Sequence, residues 1–153
     1  MTKEQIQDFS LAHAEPAWLA DLRQAAFDQI DRLELPTIER VKFHRWNLGD
    51  GSLAENDAPA TVPDFTALDV NPKLVQVGSQ TVLEQLPVDL VEQGVVFTDL
   101  YSALELIPDV IEKHFGTVIK YDEDKMTAYN AAYFNATAVL YIPDNVIVDQ
   151  PVE

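Results

Sequence analysis

The spacing of apolar residues changes from helical to strand-like along this chain of 153 residues, and that change most constrains its fold. Up to residue 34, apolar side chains recur at intervals of three and four, which is typical of one face of a helix. From residue 73 onwards, short β-rich runs alternate with helical stretches. We therefore expect one α+β domain that opens with a helical hairpin.

Two helices are predicted in residues 2–34. Thr2 and Gln5 fit a capping box for a short first helix. Pro16 suits the first turn of a second helix, and Pro36 should end it. Six apolar residues of the second helix recur on one stripe, which we interpret as core packing: Trp18, Leu22, Ala25, Ala26, Ile30 and Leu33.

Turn-forming residues separate this helical segment from the rest of the chain. Residues 49–72 contain two glycines, three prolines and scattered Ser, Asn and Asp, so we expect an irregular, mobile connection there. The run GDGS at residues 49–52 is not a phosphate loop, because the Lys-Ser/Thr pair and the preceding apolar strand are missing.

The segment from residue 73 to 136 predicts a mixture of strands and helices. Alternating runs around Gly78 indicate a β-hairpin, and residues 94–98 indicate a short buried strand. Asp99 can cap a following helix, and Pro108 can open another that ends at Gly116. A further helix is expected at residues 125–134, with these residues on one face: Met126, Tyr129, Ala132 and Tyr133.

The last segment, residues 137–153, contains two more β-rich runs. They occupy residues 137–142 and 146–148, and only a few residues follow the second run. An apolar strand this close to the end leaves an edge that needs cover. We therefore expect the chain to be a piece of a longer protein, and its apolar strand face to be exposed or covered by self-association.

The charge excludes several classes of partner. With 26 acidic and 10 basic residues the formal net charge is −16, which repels nucleic acid and anionic membranes. The chain has no cysteine, which excludes disulfides, thiol catalysis and any metal cluster held by thiolates of this segment. No stretch is apolar enough for a membrane span, and the first residues lack a signal-peptide pattern, so we expect a cytoplasmic protein.

A short basic segment is the one interaction site that the sequence suggests. It combines positive charge with an aromatic residue on an otherwise acidic chain, so it could bind an acidic partner or neutralise an acidic face of the same fold. Both interpretations remain open at this point. The segment consists of Arg40, Lys42, His44, Arg45 and Trp46.

No catalytic or metal-binding pattern is recognisable. His13, His44 and His114 lie in different elements and lack the spacing of a zinc-binding helix. The acidic run at residues 122–124 lacks the spacing of a calcium loop and should precede the helix at 125–134, where negative charge is favourable. We therefore predict no catalytic residue and no metal ligand in this segment.

Four stretches stand out in order along the chain: EPAWL at residues 15–19, RWN at 45–47, GVVFTD at 94–99, and DKMTAYNAAYFN at 124–135 running into VLYIP at 139–143. Together they resemble the N-terminal region of the SufB/SufD family of iron–sulfur cluster assembly proteins, and in particular its SufD members. One departure is the sequence NATA at residues 135–138, where SufD members have a small, glycine-rich pair.

The resemblance implies a segment of a scaffold complex. In this family SufD pairs with SufB and with the ATPase SufC, and clusters are built on the assembly. The resemblance also implies that residues 137–153 begin a right-handed parallel β-helix, and that the residues handling clusters and ATP lie outside this segment. We therefore expect four parts, residues 1–48, 49–72, 73–136 and 137–153, in a protein that positions partners and is not an enzyme.

Two other functions remain as alternatives. The segment could be a stand-alone acidic interaction module. It could also be an acid/base enzyme that uses paired carboxylates, for which a strongly raised carboxyl pKa in a cleft would be the sign.

Overall fold

A computed structural model describes residues 2–45 and 71–153, so the predicted connection at residues 49–72 lies outside the described ranges except for its last two residues. Within these ranges the chain forms six α-helices, one 3₁₀ turn and four short strands in two antiparallel pairs, which confirms the α+β class. The elements group into two compact units. The first contains described residues 2–45 and 109–134, and the second contains 71–108 and 135–153. The units therefore cut across the predicted segment 73–136, because its last helix packs on the N-terminal helices.

The first unit is helical. Its elements are α1 (Lys3–Ala12), α2 (Ala17–Ile30), a 3₁₀ turn (Phe43–Arg45), α5 (Pro108–His114, of which residue 108 belongs to the second unit) and α6 (Lys125–Tyr133). Helix α2 packs on both α1 and α6. At its centre are five buried residues: Ile6, Ala26, Ile30, Ala128 and Ala132.

Both capped helices of the first unit begin as the sequence predicts. The Thr2 side chain accepts from the Gln5 amide at 3.3 Å, and the Gln5 side chain accepts from the Thr2 amide at 2.9 Å, which completes the capping box. Asp124 caps α6 in the same way, because its carboxylate accepts from the amides of Met126 and Thr127. The acidic run therefore precedes α6.

The second helix differs from the prediction at its end and on its buried face. It ends at Ile30, before Pro36, and the Arg32 and Leu33 amides both donate to the Gln29 carbonyl in a final turn. Its buried residues are Leu19, Arg23, Ala26 and Ile30, whereas Trp18, Leu22 and Ala25 of the predicted stripe are only half-buried. The core stripe is thus rotated from the predicted one and includes a charge.

The second unit contains two strand pairs and two helices. Its elements are β1 (Lys73–Val77), β2 (Gln80–Gln85), α3 (Val88–Glu92), β3 (Val96–Asp99), α4 (Leu100–Leu106) and β4 (Ala138–Tyr141). Strands β1 and β2 form the predicted hairpin, and Gly78 takes the left-handed conformation, φ +63°, that its turn requires. Asp99 caps α4 through the Ser102 amide, also as predicted.

The C-terminal residues depart from the predicted pair of strands. Strand β4 pairs antiparallel with β3, with Phe97 opposite Leu140. The prediction of a second strand at residues 146–148 is wrong, because this segment forms no ladder after the turn in which the Val146 amide bonds to the Pro143 carbonyl. Leu140 and Ile142 are 44% and 40% exposed. The β-helix and the self-association of this face stay predictions.

Candidate functional site

The predicted basic segment lies on the surface where the structure describes it. Arg40, Lys42 and Arg45 are all exposed, and the Arg45 amide bonds to the Lys42 carbonyl at 3.0 Å in the 3₁₀ turn. Arg40 takes a left-handed conformation, φ +68°, and its Nε lies 3.6 Å from the Glu39 carboxylate. At about 90% exposure that ion pair is weak, so the three cations remain accessible to a partner.

Two members of the predicted segment fall outside what the structure describes. These are Trp46 and the side chain of His44. The site as a whole therefore stays a prediction, supported by the exposure of its other three residues.

The other two histidines occupy unlike positions. His13 stacks on Phe9 with ring centroids 4.1 Å apart, and its Nδ1 lies 3.0 Å from the Phe9 carbonyl oxygen. His114 lies exposed in the last turn of α5, where a cation interacts favourably with the helix dipole. Among the described residues no group of three or more His, Asp or Glu side chains is arranged to hold a metal ion.

Arg23 makes a buried ion pair in the first unit, and it is not among the candidate site residues predicted from the sequence. Its side chain and that of Glu15 are both 0% exposed. The Arg23 Nε donates to both Glu15 oxygens at 3.0 and 2.8 Å, and Nη2 donates to Oε1 at 2.6 Å. This two-pronged geometry is the strongest form of Arg–carboxylate pairing.

The remaining donors of Arg23 hold the end of α6. Its Nη1 donates to the carbonyl oxygens of Ala132 at 3.3 Å and Phe134 at 2.8 Å. The guanidinium also lies over two rings, 3.6 Å from the Phe134 centroid and 5.0 Å from the Phe9 centroid. Carbonyls at a helix C-terminus favour a cation, so the buried charge is stabilised from every side described.

A turn between α1 and α2 brings Glu15 to this site. Ala14 is left-handed, φ +50°, its amide bonds to the Leu11 carbonyl, and the Glu15 amide bonds to the Ser10 carbonyl. These two bonds form a Schellman motif, which usually has glycine at the left-handed position. A sequence signal for the ion pair was present, since Arg23 stands within the apolar spacing Leu19, Ala26, Ile30.

The second unit has its own buried cation. Lys73 is 3% exposed, and its Nζ lies 2.6 Å from the Glu153 carboxylate. The backbone of Glu153 also bonds to residues on both sides of Lys73, at the Pro72 carbonyl and the Leu74 amide, which is the pattern of a parallel strand pair. This cation anchors residue 153 to β1.

The Tyr133 side chain has a perturbed pKa. Burial raises the pKa of the Tyr133 hydroxyl above its usual 10.0, and the neighbouring Tyr129 and Asp31 add to the effect by disfavouring a second negative charge. A phenol with a raised pKa is a poor acid near neutral pH.

Comparison with known proteins identifies the class. The family described as "SufBD protein N-terminal region" matches residues 62–153, which is more than half of the chain. The chain therefore belongs to the SufB/SufD family and corresponds to its N-terminal region.

The structure contains no helix, in its described ranges, long and apolar enough to cross a membrane.

Individual relatives agree with this assignment. The chain is 33% identical to the iron–sulfur cluster assembly protein SufD of Bacillus subtilis, over 99% of the chain and 37% of that protein. It is 22% identical to SufB of the same organism over the whole chain, and 27% identical to a SufBD family protein of Mycobacterium tuberculosis strain H37Rv over 97% of the chain. The chain spans 37% of the two Bacillus proteins and 20% of the mycobacterial one.

Proposed function

We propose that this chain is the N-terminal region of a SufD-like subunit in iron–sulfur cluster assembly. The observation that carries the proposal is the 33% identity to a protein named SufD along 99% of the chain, against 22% to SufB from the same organism. In this proposal the iron–sulfur cluster is cargo of the full assembly, and a SufB-like subunit and a SufC-like ATPase are the partners.

The role proposed for the segment itself is to position partners. The chain supplies no thiolate for a cluster because it has no cysteine. Two ion pairs with buried cations in the described ranges, Arg23 with Glu15 and Lys73 with Glu153, join parts of the chain's own fold. We therefore propose that the segment is not an enzyme, binds no cofactor of its own, and works in the cytoplasm.

Affinity purification of the full-length protein from its own cells tests the proposal. We expect a tagged copy to copurify with a SufB-like protein and a SufC-like ATPase in the cytoplasmic fraction, and its deletion to lower the activity of iron–sulfur enzymes. A protein of about 17.1 kDa that purifies without either subunit would instead favour the stand-alone module.

The basic segment can be tested in the same experiment. Charge reversal of its three described cations, Arg40→Glu with Lys42→Glu and Arg45→Glu, should reduce recovery of an acidic partner. The matched control reverses three other exposed cations, at Lys3, Arg32 and Lys113. Equal recovery with both triple variants would show that the segment only balances charge within its own fold.

A further inference from the structure

An apolar groove of about 520 Å³ lies in the first unit, bordered by α2, α6 and the loop after α5. Leu22, Phe115, Met126 and Phe134 contribute apolar surface to it. Phe115 and Phe134 are 5.5 Å apart between ring centroids, so they form a continuous aromatic wall. A concave, largely apolar surface of this size is typical of a binding site.

The loop beside the groove exposes apolar side chains that nothing in the described ranges covers. Val118 is 90% exposed and Ile119 is 65% exposed, and both line the groove. Gly116, φ +68°, ends α5 and turns the chain into this loop. Exposed apolar residues that adjoin an apolar groove form the kind of continuous patch that marks an interaction surface.

The lining of the groove carries one formal positive charge, from Lys120, whereas the chain as a whole is acidic. The sequence has 26 acidic residues, yet no Asp or Glu is among the described residues that line the groove. Its basic side chains are Lys120 and His114, and Lys120 makes no ion pair within the described ranges. Glu123 accepts a hydrogen bond from the Lys120 amide at 2.9 Å but does not line the groove.

We propose that this groove binds an amphipathic segment of a partner protein, with apolar anchors in the groove and Asp or Glu side chains beside them. The anchors would contact Phe115 and Phe134, while the acidic side chains would pair with Lys120 and accept a hydrogen bond from His114. Helix-in-groove recognition uses this combination of apolar anchors and flanking charges. The proposal involves none of the basic segment's residues and does not depend on assembly with SufB-like or SufC-like subunits.

Site-specific photo-crosslinking in cells tests this proposal on the full-length protein. The photoreactive residue p-benzoylphenylalanine replaces Val118 in one strain and Leu11 in the control strain. Leu11 is a matched site, because it is 78% exposed in the same unit and does not line the groove. We expect position 118, and not position 11, to crosslink to one segment of another protein in which apolar residues at helical spacing adjoin Asp or Glu.

Charge reversal at Lys120 tests the proposed pairing of Lys120 with acidic side chains of the partner. Lys120→Glu should lower the crosslinking yield at position 118 several-fold. It should also raise the Kd for a synthetic peptide of the crosslinked segment by roughly tenfold, and this increase should be smaller at high salt. Lys113→Glu is the matched control, because Lys113 is an exposed lysine of the same unit outside the groove lining. Circular dichroism melting of each variant confirms that it is folded.

Each other outcome overturns the proposal. These outcomes are a yield at position 118 no higher than at position 11, a crosslink to the same chain or to a second copy, a captured segment without carboxylates, and equal effects of the Lys120 and Lys113 variants. Copurification with SufB-like and SufC-like proteins is measured separately, so the proposed function can stand when the groove proposal fails, and the reverse.

Discussion

The guanidinium carbon of Arg23 lies 3.6 Å from the ring centroid of Phe134, while the Nη1 of the same arginine donates to the Phe134 carbonyl at 2.8 Å. One side chain thus contacts both the ring and the backbone of a residue 111 positions further along the chain. Because Arg23 also pairs with Glu15, it joins the α1–α2 turn to the end of α6. One buried charge therefore links the α1–α2 turn, α2 and α6.

Replacing Arg23 alone should lower the free energy of unfolding more than replacing both Arg23 and Glu15. Arg23→Met leaves the Glu15 carboxylate buried without its cation, which should cost about 3–5 kcal/mol of the free energy of unfolding. The double variant with Glu15→Leu should recover much of this loss, because no buried charge remains. Urea unfolding of the single and double variants measures both effects.

The exposed ion pair of Lys3 and Asp28 provides the comparison for this experiment. Its side chains are 45% and 44% exposed, so Lys3→Ala should change the free energy of unfolding by less than about 1 kcal/mol. A loss for Arg23→Met no larger than for Lys3→Ala would contradict the assigned role of Arg23.

Replacing Ala14 with glycine should stabilise the protein. Ala14 occupies the left-handed position of the Schellman motif at φ +50°, where a Cβ atom is unfavourable by roughly 1–2 kcal/mol. Part of this gain is lost to the greater freedom of glycine in the unfolded chain, so a rise of about 0.5–1 kcal/mol is expected. Ala12→Gly, at a helical position in the same exposed stretch, should instead destabilise; thermal melting distinguishes the two directions.

The Ser10 hydroxyl should be dispensable for stability. It is buried at 4% exposure, and its Oγ has no hydrogen-bond partner among the described residues. Ser10→Ala removes an unsatisfied polar group at nearly constant shape, so the free energy of unfolding should stay equal or rise by about 1 kcal/mol. Ser102→Ala is a control in a half-buried position of α4. A loss above about 1 kcal/mol at position 10 would reveal a partner for this hydroxyl.

The contact between α2 and α6 should not tolerate larger side chains. Ala26, Ala128 and Ala132 are all 0% exposed, and such small residues let the two helices approach closely. Ala128→Leu should lower the free energy of unfolding by about 1–3 kcal/mol through overpacking. The same change at the exposed Ala12 should have little effect, and chemical denaturation of both variants tests the difference.

Stability should decline above the usual pKa of tyrosine because of Tyr133. Its pKa is raised in the folded state, mainly by burial, so above pH 10 the unfolded state loses the phenolic proton more readily and is favoured. Stability is therefore retained below pH 10 and lost as the pH rises. Tyr133→Phe should flatten this alkaline dependence, measured by denaturant unfolding across the pH range. Tyr141→Phe is the control, and an unchanged slope at Tyr133→Phe would contradict the assignment.

Local features of the fold were predictable because their causes are local. The caps at Thr2, Asp99 and Asp124 and the turn at Gly78 each depend on residues within a few positions of each other. The pairing of β3 with β4, and the packing of α6 on α2, join distant segments that no local pattern specifies.

The candidate sites also differ in whether they depend on neighbouring or on distant residues, and so in whether the sequence predicts them. The basic segment is contiguous, so charge alone reveals it. The groove is assembled from residue 22 together with residues 114–134, and its lack of acidic side chains becomes visible only after folding. Arg23 stands within an apolar spacing in the sequence, but an arginine in a helix is usually solvated, so that spacing alone does not establish its burial.

The packing of α2 against α6 also affects how the protein emerges from the ribosome. About 100 residues separate the two helices, and at roughly 5–20 residues per second the ribosome needs several seconds to supply them. During that interval α6 is absent and cannot cover Ile6 of α1 or Ala26 and Ile30 of α2, and Arg23 lacks its contact with the Phe134 ring. The nascent N-terminal helices must therefore remain unfinished, and open to chaperones, until residue 134 has left the exit tunnel.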